Sequence, residues 1–179
     1  MQSILLSSVG LLFAMAAMAP ATAQPLDPEN TLFLDLDSGR VVIRLRPDLA
    51  PLHVERAKTL TRQGFYDGIV FHRVIDGFMA QTGDPTGTGS GGSDLPDVAA
   101  EFSDEAYKRG TIGAARTSDP NSANSQFFIT FGDASFLNGQ YTVWGEVVEG
   151  MDYVDQIKKG EPPSDPDKIV RMQVAADAK

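Results

Sequence analysis

Apolar side chains crowd into two short runs near the start of the ordered-looking chain, Thr31-Leu32-Phe33-Leu34-Asp35-Leu36 and Val41-Val42-Ile43-Arg44-Leu45, with Asp37-Ser38-Gly39 between them. Short runs of branched and aromatic residues around a polar turn predict a β-hairpin. Pro51 then stands where the first turn of a helix tolerates proline. Val54, Ala57 and Leu60 recur at helical spacing until Gly64, which predicts a helix of about 12 residues. Ile69 to Ile75 reads as a strand with apolar groups on both faces: Ile69, Phe71 and Ile75 on one, Val70 and Val74 on the other. Gly83 to Pro96 is dominated by Gly, Ser, Thr, Asp and Pro and predicts a long loop, a kind of segment that often carries function in a compact domain. Gly110–Ala115, Gln126–Phe131, Tyr141–Val148 and Ile169–Val174 are further strands. Met151, Val154 and Ile157 mark a second helix closed by Gly160, before an acidic, proline-rich loop from Glu161 to Asp167. Many strands, two short helices and no alternation of strand with helix predict an antiparallel barrel or sandwich with helices at its ends.

The length of 179 residues leaves room for one such domain plus a processed segment. The first 23 residues carry no charged side chain, and the apolar run Ile4 to Met18 precedes Ala21-Thr22-Ala23, the small-x-small pattern of a signal-peptide cleavage site. The expected division is a signal peptide over 1–23, a linker over 24–30, a folded domain over 31–174 and a tail over 175–179. A membrane anchor needs about 20 apolar residues, and Ser7, Ser8, Gly10 and Pro20 interrupt this stretch. The absence of Lys and Arg ahead of the run leaves a retained signal anchor as the alternative to export, after which no membrane contact is expected. There is no cysteine, which rules out disulfide staples and thiol catalysis. With 15 basic against 24 acidic residues, a net charge of −9, the chain lacks the basic footprint of a nucleic-acid binder.

Candidate chemistry is sparse. His53 and His72 are the only histidines. His53 falls in the first helix among charged neighbours and is expected on the surface. His72 could serve as a base, but no G-x-S-x-G elbow accompanies it. Neither histidine has a partner at metal-ligand spacing, so no metal and no cofactor is expected. Gly87-Thr88-Gly89-Ser90-Gly91-Gly92 formally satisfies G-x-G-x-x-G, yet it runs into Ser93-Asp94-Leu95-Pro96 and not into a helix, which predicts a flexible surface loop. Arg73 is flanked by Phe71 and Ile75 on one strand face, so its guanidinium should lie along an apolar surface with its head near solvent. Taken in isolation, Phe78 and Met79 read as core residues and Gln81 as a turn residue.

The stretch Phe71-His72-Arg73-Val74-Ile75-Asp76-Gly77-Phe78-Met79-Ala80-Gln81-Thr82-Gly83-Asp84 resembles the signature of the cyclophilin family of peptidyl-prolyl cis–trans isomerases. Ser125-Gln126-Phe127-Phe128-Ile129 resembles a second family signature. Phe136-Leu137-Asn138-Gly139 with Val143-Trp144-Gly145 resembles a third. The likeness runs from about Thr31 to Val174. It implies a mainly β fold, a closed eight-stranded antiparallel barrel capped by two α-helices. It also implies a proline groove in which Arg73, Gln81 and Phe78 are catalytic, and Met79, Ala115, Arg116, Phe128, Phe136, Leu137 and Tyr141 bind substrate. The turn after Ala115 and Arg116 differs in length from the commonest family form. Phe136 stands where many members have tryptophan and Tyr141 where they have histidine, both as in bacterial members, while Trp144 falls in the core. Without an indole N–H at the rim, weak cyclosporin binding is expected. The implied activity is rotation of X-Pro bonds in unfolded or partly folded exported proteins by a monomer. The periplasm is the expected compartment, with secretion as an alternative. A module that holds proline-containing segments as a chaperone, with little turnover, is the rival reading.

Overall fold

The computed structural model describes residues 25–179, so the expected signal peptide over 1–23 and the first linker residue lie outside the described residues. Eight strands follow in chain order: β1 (Thr31–Leu36), β2 (Gly39–Leu45), β3 (Arg73–Ile75), β4 (Met79–Thr82), β5 (Thr111–Ala114), β6 (Phe127–Thr130), β7 (Val143–Glu149) and β8 (Arg171–Val174). Two helices, α1 (Pro51–Arg62) and α2 (Met151–Asp155), accompany them. Among the described residues no helix is long and apolar enough to cross a membrane.

The hairpin forms as its pattern requires, with Thr31 opposite Arg44 and Leu36 opposite Gly39. The 12-residue α1 also matches its predicted spacing. Three elements differ. The strand expected over Ile69–Ile75 is regular only from Arg73, with Val70 joined to Lys168 by a single bridge. The second helix stops at Asp155, leaving Ile157 buried just beyond its end. Strand β4 has no run of β-branched residues to announce it. It is extended because β3 and β6 pair with it on either side, a case of tertiary pairing overriding weak local preference.

All pairings are antiparallel, in the order β3-β4-β6-β5-β7-β2-β1-β8. The expected closed barrel is corrected by this order to a curled, open half-barrel. Strands β3 and β8 end the sheet with no ladder between them. The isolated bridges Val70↔Lys168 and Val74↔Gly160, with a Gly68 N–H to Ile169 O hydrogen bond, tie the β3 side to the chain leading into β8. That chain holds Pro162, Pro163 and Pro166, which have no backbone N–H to donate and cannot sustain a ladder.

The concave side packs on the helices. Leu32, Leu34, Ile43, Ile112, Phe127 and Ile129 from the sheet meet Val54, Ala57 and Leu60 of α1 and Val154 of α2. Trp144 joins this core, its ring 5.4 Å from that of Phe127 in an edge arrangement. His53 is also inside, only 5% exposed, which corrects the surface position expected of it. Ala50 offers α1 no capping side chain. The Glu101 carboxylate takes that role, accepting from the backbone N–H groups of Leu52 and His53 at 3.1 and 3.0 Å. It also lies 2.7 Å from His53 Nδ1. Burial pulls the His53 imidazole below its ordinary value, against the upward pull of Glu101.

Candidate active site

On the convex side of β3-β4-β6-β5 the strand register lines up a row of side chains. Arg73 faces Gln81, Gln81 faces Phe128, and Phe128 faces Gly113. Side chains on neighbouring strands at such positions stand on one face of a sheet, so this row forms a floor. Gly113 is required there, because a Cβ would collide with the Tyr107 hydroxyl and the Phe128 ring. Tyr107 stacks beneath Phe128 at 5.7 Å, and Tyr141 meets it edge-on at 5.9 Å. Met79, Tyr107, Phe128, Ala134, Leu137 and Val143 make a second apolar cluster, separate from the main core.

Above this floor is a cavity of about 300 Å³ lined by Arg73, Phe78, Met79, Gln81, Ala115, Arg116, Phe128, Phe136, Leu137 and Tyr141. The folded chain thus brings together all ten residues singled out in the sequence. Leu137 and Met79 are buried, while Phe136 stands at the rim, 63% exposed, with its ring 5.2 Å from that of Phe78. Arg116 is a wall and not a free cation. It lies 4.4 Å over the Tyr141 ring, and its two Nη groups donate to the carbonyls of Thr117 and Gln140, each at 2.8 Å. Gln81 belongs to β4 and not to a turn, and its Nε2 donates to Gln126 Oε1 at 2.9 Å. Arg73, half exposed, donates from Nε to Glu161 Oε2 at 2.7 Å.

Phe71 does not flank Arg73. It is fully buried in the main core, while Ile75 packs against the outer cluster, because regular alternation begins only at Arg73. Glu161 and Tyr107 were not anticipated in the sequence. Gln126, though inside a stretch already singled out, was not assigned to the site. Glu161 is 88 positions from Arg73, and nothing local signals their meeting.

A second hollow of about 370 Å³ continues from the first, sharing Gln81, Ala115 and Arg116 and reaching Gly89, Asn124 and Gln126. The glycine-rich loop that edges it is organised around the buried Asp84. This carboxylate accepts from the N–H and hydroxyl of Thr86 and from the N–H groups of Thr88 and Gly89. Burial pushes the Asp84 carboxyl up, but these donors outweigh it and hold it down at about 2. His72, beside Gly89, is 6% exposed with no hydrogen-bond partner on either ring nitrogen, and burial lowers its pKa. No hydroxyl is paired with it as a nucleophile would be. Among the described residues no three His, Asp or Glu side chains gather as metal ligands do.

The arrangement is a hollow with apolar walls, one amide on its floor and two guanidinia at its edge, of which Arg116 is tied to backbone carbonyls and Arg73 keeps its Nη groups without a protein acceptor among the described residues. It can hold a compact apolar ring and offer hydrogen bonds beside it. The family model for cyclophilin type peptidyl-prolyl cis-trans isomerase/CLD matches residues 31–174. A probable peptidyl-prolyl cis-trans isomerase of Brucella suis is 53% identical over 182 aligned positions, covering 93% of each chain. Among solved structures, a cyclophilin from Hirschia baltica has a TM-score of 0.80 at 30% identity, covering 86% of this chain and 77% of its own. A Cryptosporidium parvum cyclophilin type isomerase, crystallised in the presence of the dipeptide Ala-Pro, has a TM-score of 0.75 at 29% identity, covering 80% of this chain and 98% of its own. On this match of sequence and fold, the chain belongs to the cyclophilin-type peptidyl-prolyl cis–trans isomerases.

Proposed function

We propose that the chain accelerates rotation about X-Pro bonds in the 300 Å³ groove, with Arg73 as the group that stabilises the twisted amide. The observation that carries this reading is the placement of the Arg73 guanidinium, whose Nη groups have no protein acceptor among the described residues while those of Arg116 are taken by the Thr117 and Gln140 carbonyls, against the apolar walls formed by Phe78, Met79, Phe128 and Leu137. Rotation is opposed by a barrier of roughly 18–20 kcal/mol from conjugation of the nitrogen lone pair with the carbonyl. No bond has to break. Twisting removes conjugation and makes the nitrogen pyramidal and more basic, so a donor aimed at it, or at the proline carbonyl, favours the transition state over either planar isomer. Lowering the barrier by about 7 kcal/mol gives a rate gain on the order of 10⁵. The apolar walls hold the pyrrolidine ring, and Gln81 binds the substrate backbone and decides which side turns. No nucleophile, metal or cofactor is needed for such a step. The Ala-Pro dipeptide present with the Cryptosporidium parvum relative supports proline as the ring bound.

The clients in this reading are proline-containing segments of unfolded or partly folded exported proteins, met by a monomer in the periplasm. Export is supported by the apolar run and Ala21-Thr22-Ala23. Cyclosporin binds weakly, because Phe136 presents no N–H at the rim. The deciding experiment is an isomerisation assay on an X-Pro peptide with wild type and Arg73→Ala, beside suppression of aggregation of an unfolding client. Fast isomerisation lost with Arg73 is the expected result. A wild type that protects the client without accelerating isomerisation overturns the reading in favour of a holding module.

A further inference from the structure

Arg73 is the middle residue of a triple that the backbone itself sets up. On one side it faces Gln81 across the β3-β4 pair. On the other, Val74 and Gly160 form an antiparallel bridge, with Val74 N–H to Gly160 O at 2.8 Å and Gly160 N–H to Val74 O at 2.9 Å. In an antiparallel pair each step back along one chain is a step forward along the other. One step from the bridge, Arg73 therefore falls opposite Glu161. The 2.7 Å contact between Arg73 Nε and Glu161 Oε2 thus joins two segments that the backbone bridge one residue away already holds side by side.

The backbone that carries the carboxylate is constrained on both sides of Glu161. Gly160 has φ +149, a conformation that residues with a Cβ rarely adopt, and a Cβ there would stand 2.6 Å from Pro163 Cα. Pro162 and Pro163 follow with fixed φ, and Pro163 is buried. The contact uses Nε alone. Among the described residues no protein atom takes a hydrogen bond from either Nη group, and Arg73 lines the groove.

We infer that Glu161 is a positioning residue for the isomerase reaction: it fixes the plane of the Arg73 guanidinium through Nε and leaves the Nη donors free for the twisting amide. This rests on the proposed role of Arg73. A guanidinium is a planar fork whose donors lie in set directions, so anchoring one nitrogen sets the aim of the other two. Directed donors act only when already in place as charge develops, and a long side chain left to sample its rotamers loses that advantage. The half-exposed pair adds little to stability in return, as surface ion pairs do.

The test compares wild type, Glu161→Ala, Glu161→Gln, Arg73→Ala and the Arg73→Ala/Glu161→Ala double variant. The measurements are X-Pro exchange by NMR, peptide binding by titration with a proline tetrapeptide, and the Arg73 Nε–H resonance. Misplacing a positioned group costs up to about 10²-fold, and loss of one restraint should lower kcat in Glu161→Ala by about tenfold with the peptide dissociation constant within about twofold. Glu161→Gln, whose amide oxygen still accepts from Nε, restores most of the rate. The Nε–H signal exchanges faster with water in Glu161→Ala, and the double variant is no slower than Arg73→Ala. Wild-type speed in Glu161→Ala overturns the inference. So does a gain in speed, which would make the carboxylate a restraint on catalysis, or an equal loss in the Arg73→Ala background, which would place its effect elsewhere. Full activity in Arg73→Ala would instead sink the proposed role of the arginine, whatever Glu161 does.

Discussion

Phe127 and Phe128 are consecutive in β6, yet they belong to different parts of the molecule. Phe127 is 1% exposed inside the half-barrel, edge-on to Tyr66 and Trp144 at 5.6 and 5.4 Å. Phe128 points the other way, packed between Tyr107 and Tyr141 with one face on the cavity. The same alternation sends Val74 and Ala80 inward and Arg73, Met79 and Gln81 outward. A sheet with two apolar faces has to cover both. Here the concave face is closed by helices, and the convex face is covered only in part, leaving a hollow over its centre. The first arrangement stabilises the fold, whereas the second leaves apolar area free for a ligand.

That division can be tested by breaking each face separately. Phe127→Ala should cost about 3–5 kcal/mol, the range for deleting a buried phenylalanine, read from urea denaturation, while the molecules that remain folded isomerise normally. Arg73→Ala should do the reverse. Removing a directed donor costs on the order of 10²–10³ in rate, about 3–4 kcal/mol in the transition state. The denaturation midpoint should move little, since an exposed ion pair contributes about 0–1 kcal/mol. Equal loss of stability and rate in both variants would dissolve the distinction between the faces.

Smaller effects sharpen it. Glu101→Ala removes the cap of α1 and the partner of His53, and should lower stability by about 1–2 kcal/mol, seen as a lower Tm with the groove intact. The smallest effect is that of pH. Burial lowers the pKa of His53 and of His72 from the ordinary 6.5, so the unfolded chain binds protons there more readily than the folded one. Stability is therefore greatest above about 6.5 and falls as the pH drops from that value through the folded-state pKa values. Denaturation at about pH 7.5 and about pH 5, roughly one unit or more on either side of the ordinary imidazole value, reads this directly. A flat profile would mean that neither imidazole is held neutral.

Patterns confined to a few neighbouring positions were legible without the fold. The β1-β2 hairpin and α1 follow from alternation, spacing and Pro51. The stretch from Arg73 to Gln81 carries its groove residues in a register that the resemblance exposed. The companions of those residues were not legible. Glu101 lies 48 positions from His53, and Glu161 lies 88 from Arg73. A histidine among charged neighbours therefore reads as surface, and the arginine reads as a group with its head near solvent and no identified partner. Strand β4, whose composition favours no strand, was invisible for the same reason: its conformation is imposed from both sides.

By itself, then, the sequence determined where the β1-β2 hairpin, α1 and most of the other strands lie, though not β4, and which residue types stand ready for chemistry. Periodicity and register are properties of adjacent positions, and they survive without a fold. Only the tertiary structure decided that the sheet stays open at β3 and β8, that Phe71 turns into the main core, and that a carboxylate from the proline-rich loop meets the guanidinium. Each of these depends on backbone pairing between segments far apart in the chain, where the energy of a contact is set by geometry that no local pattern contains.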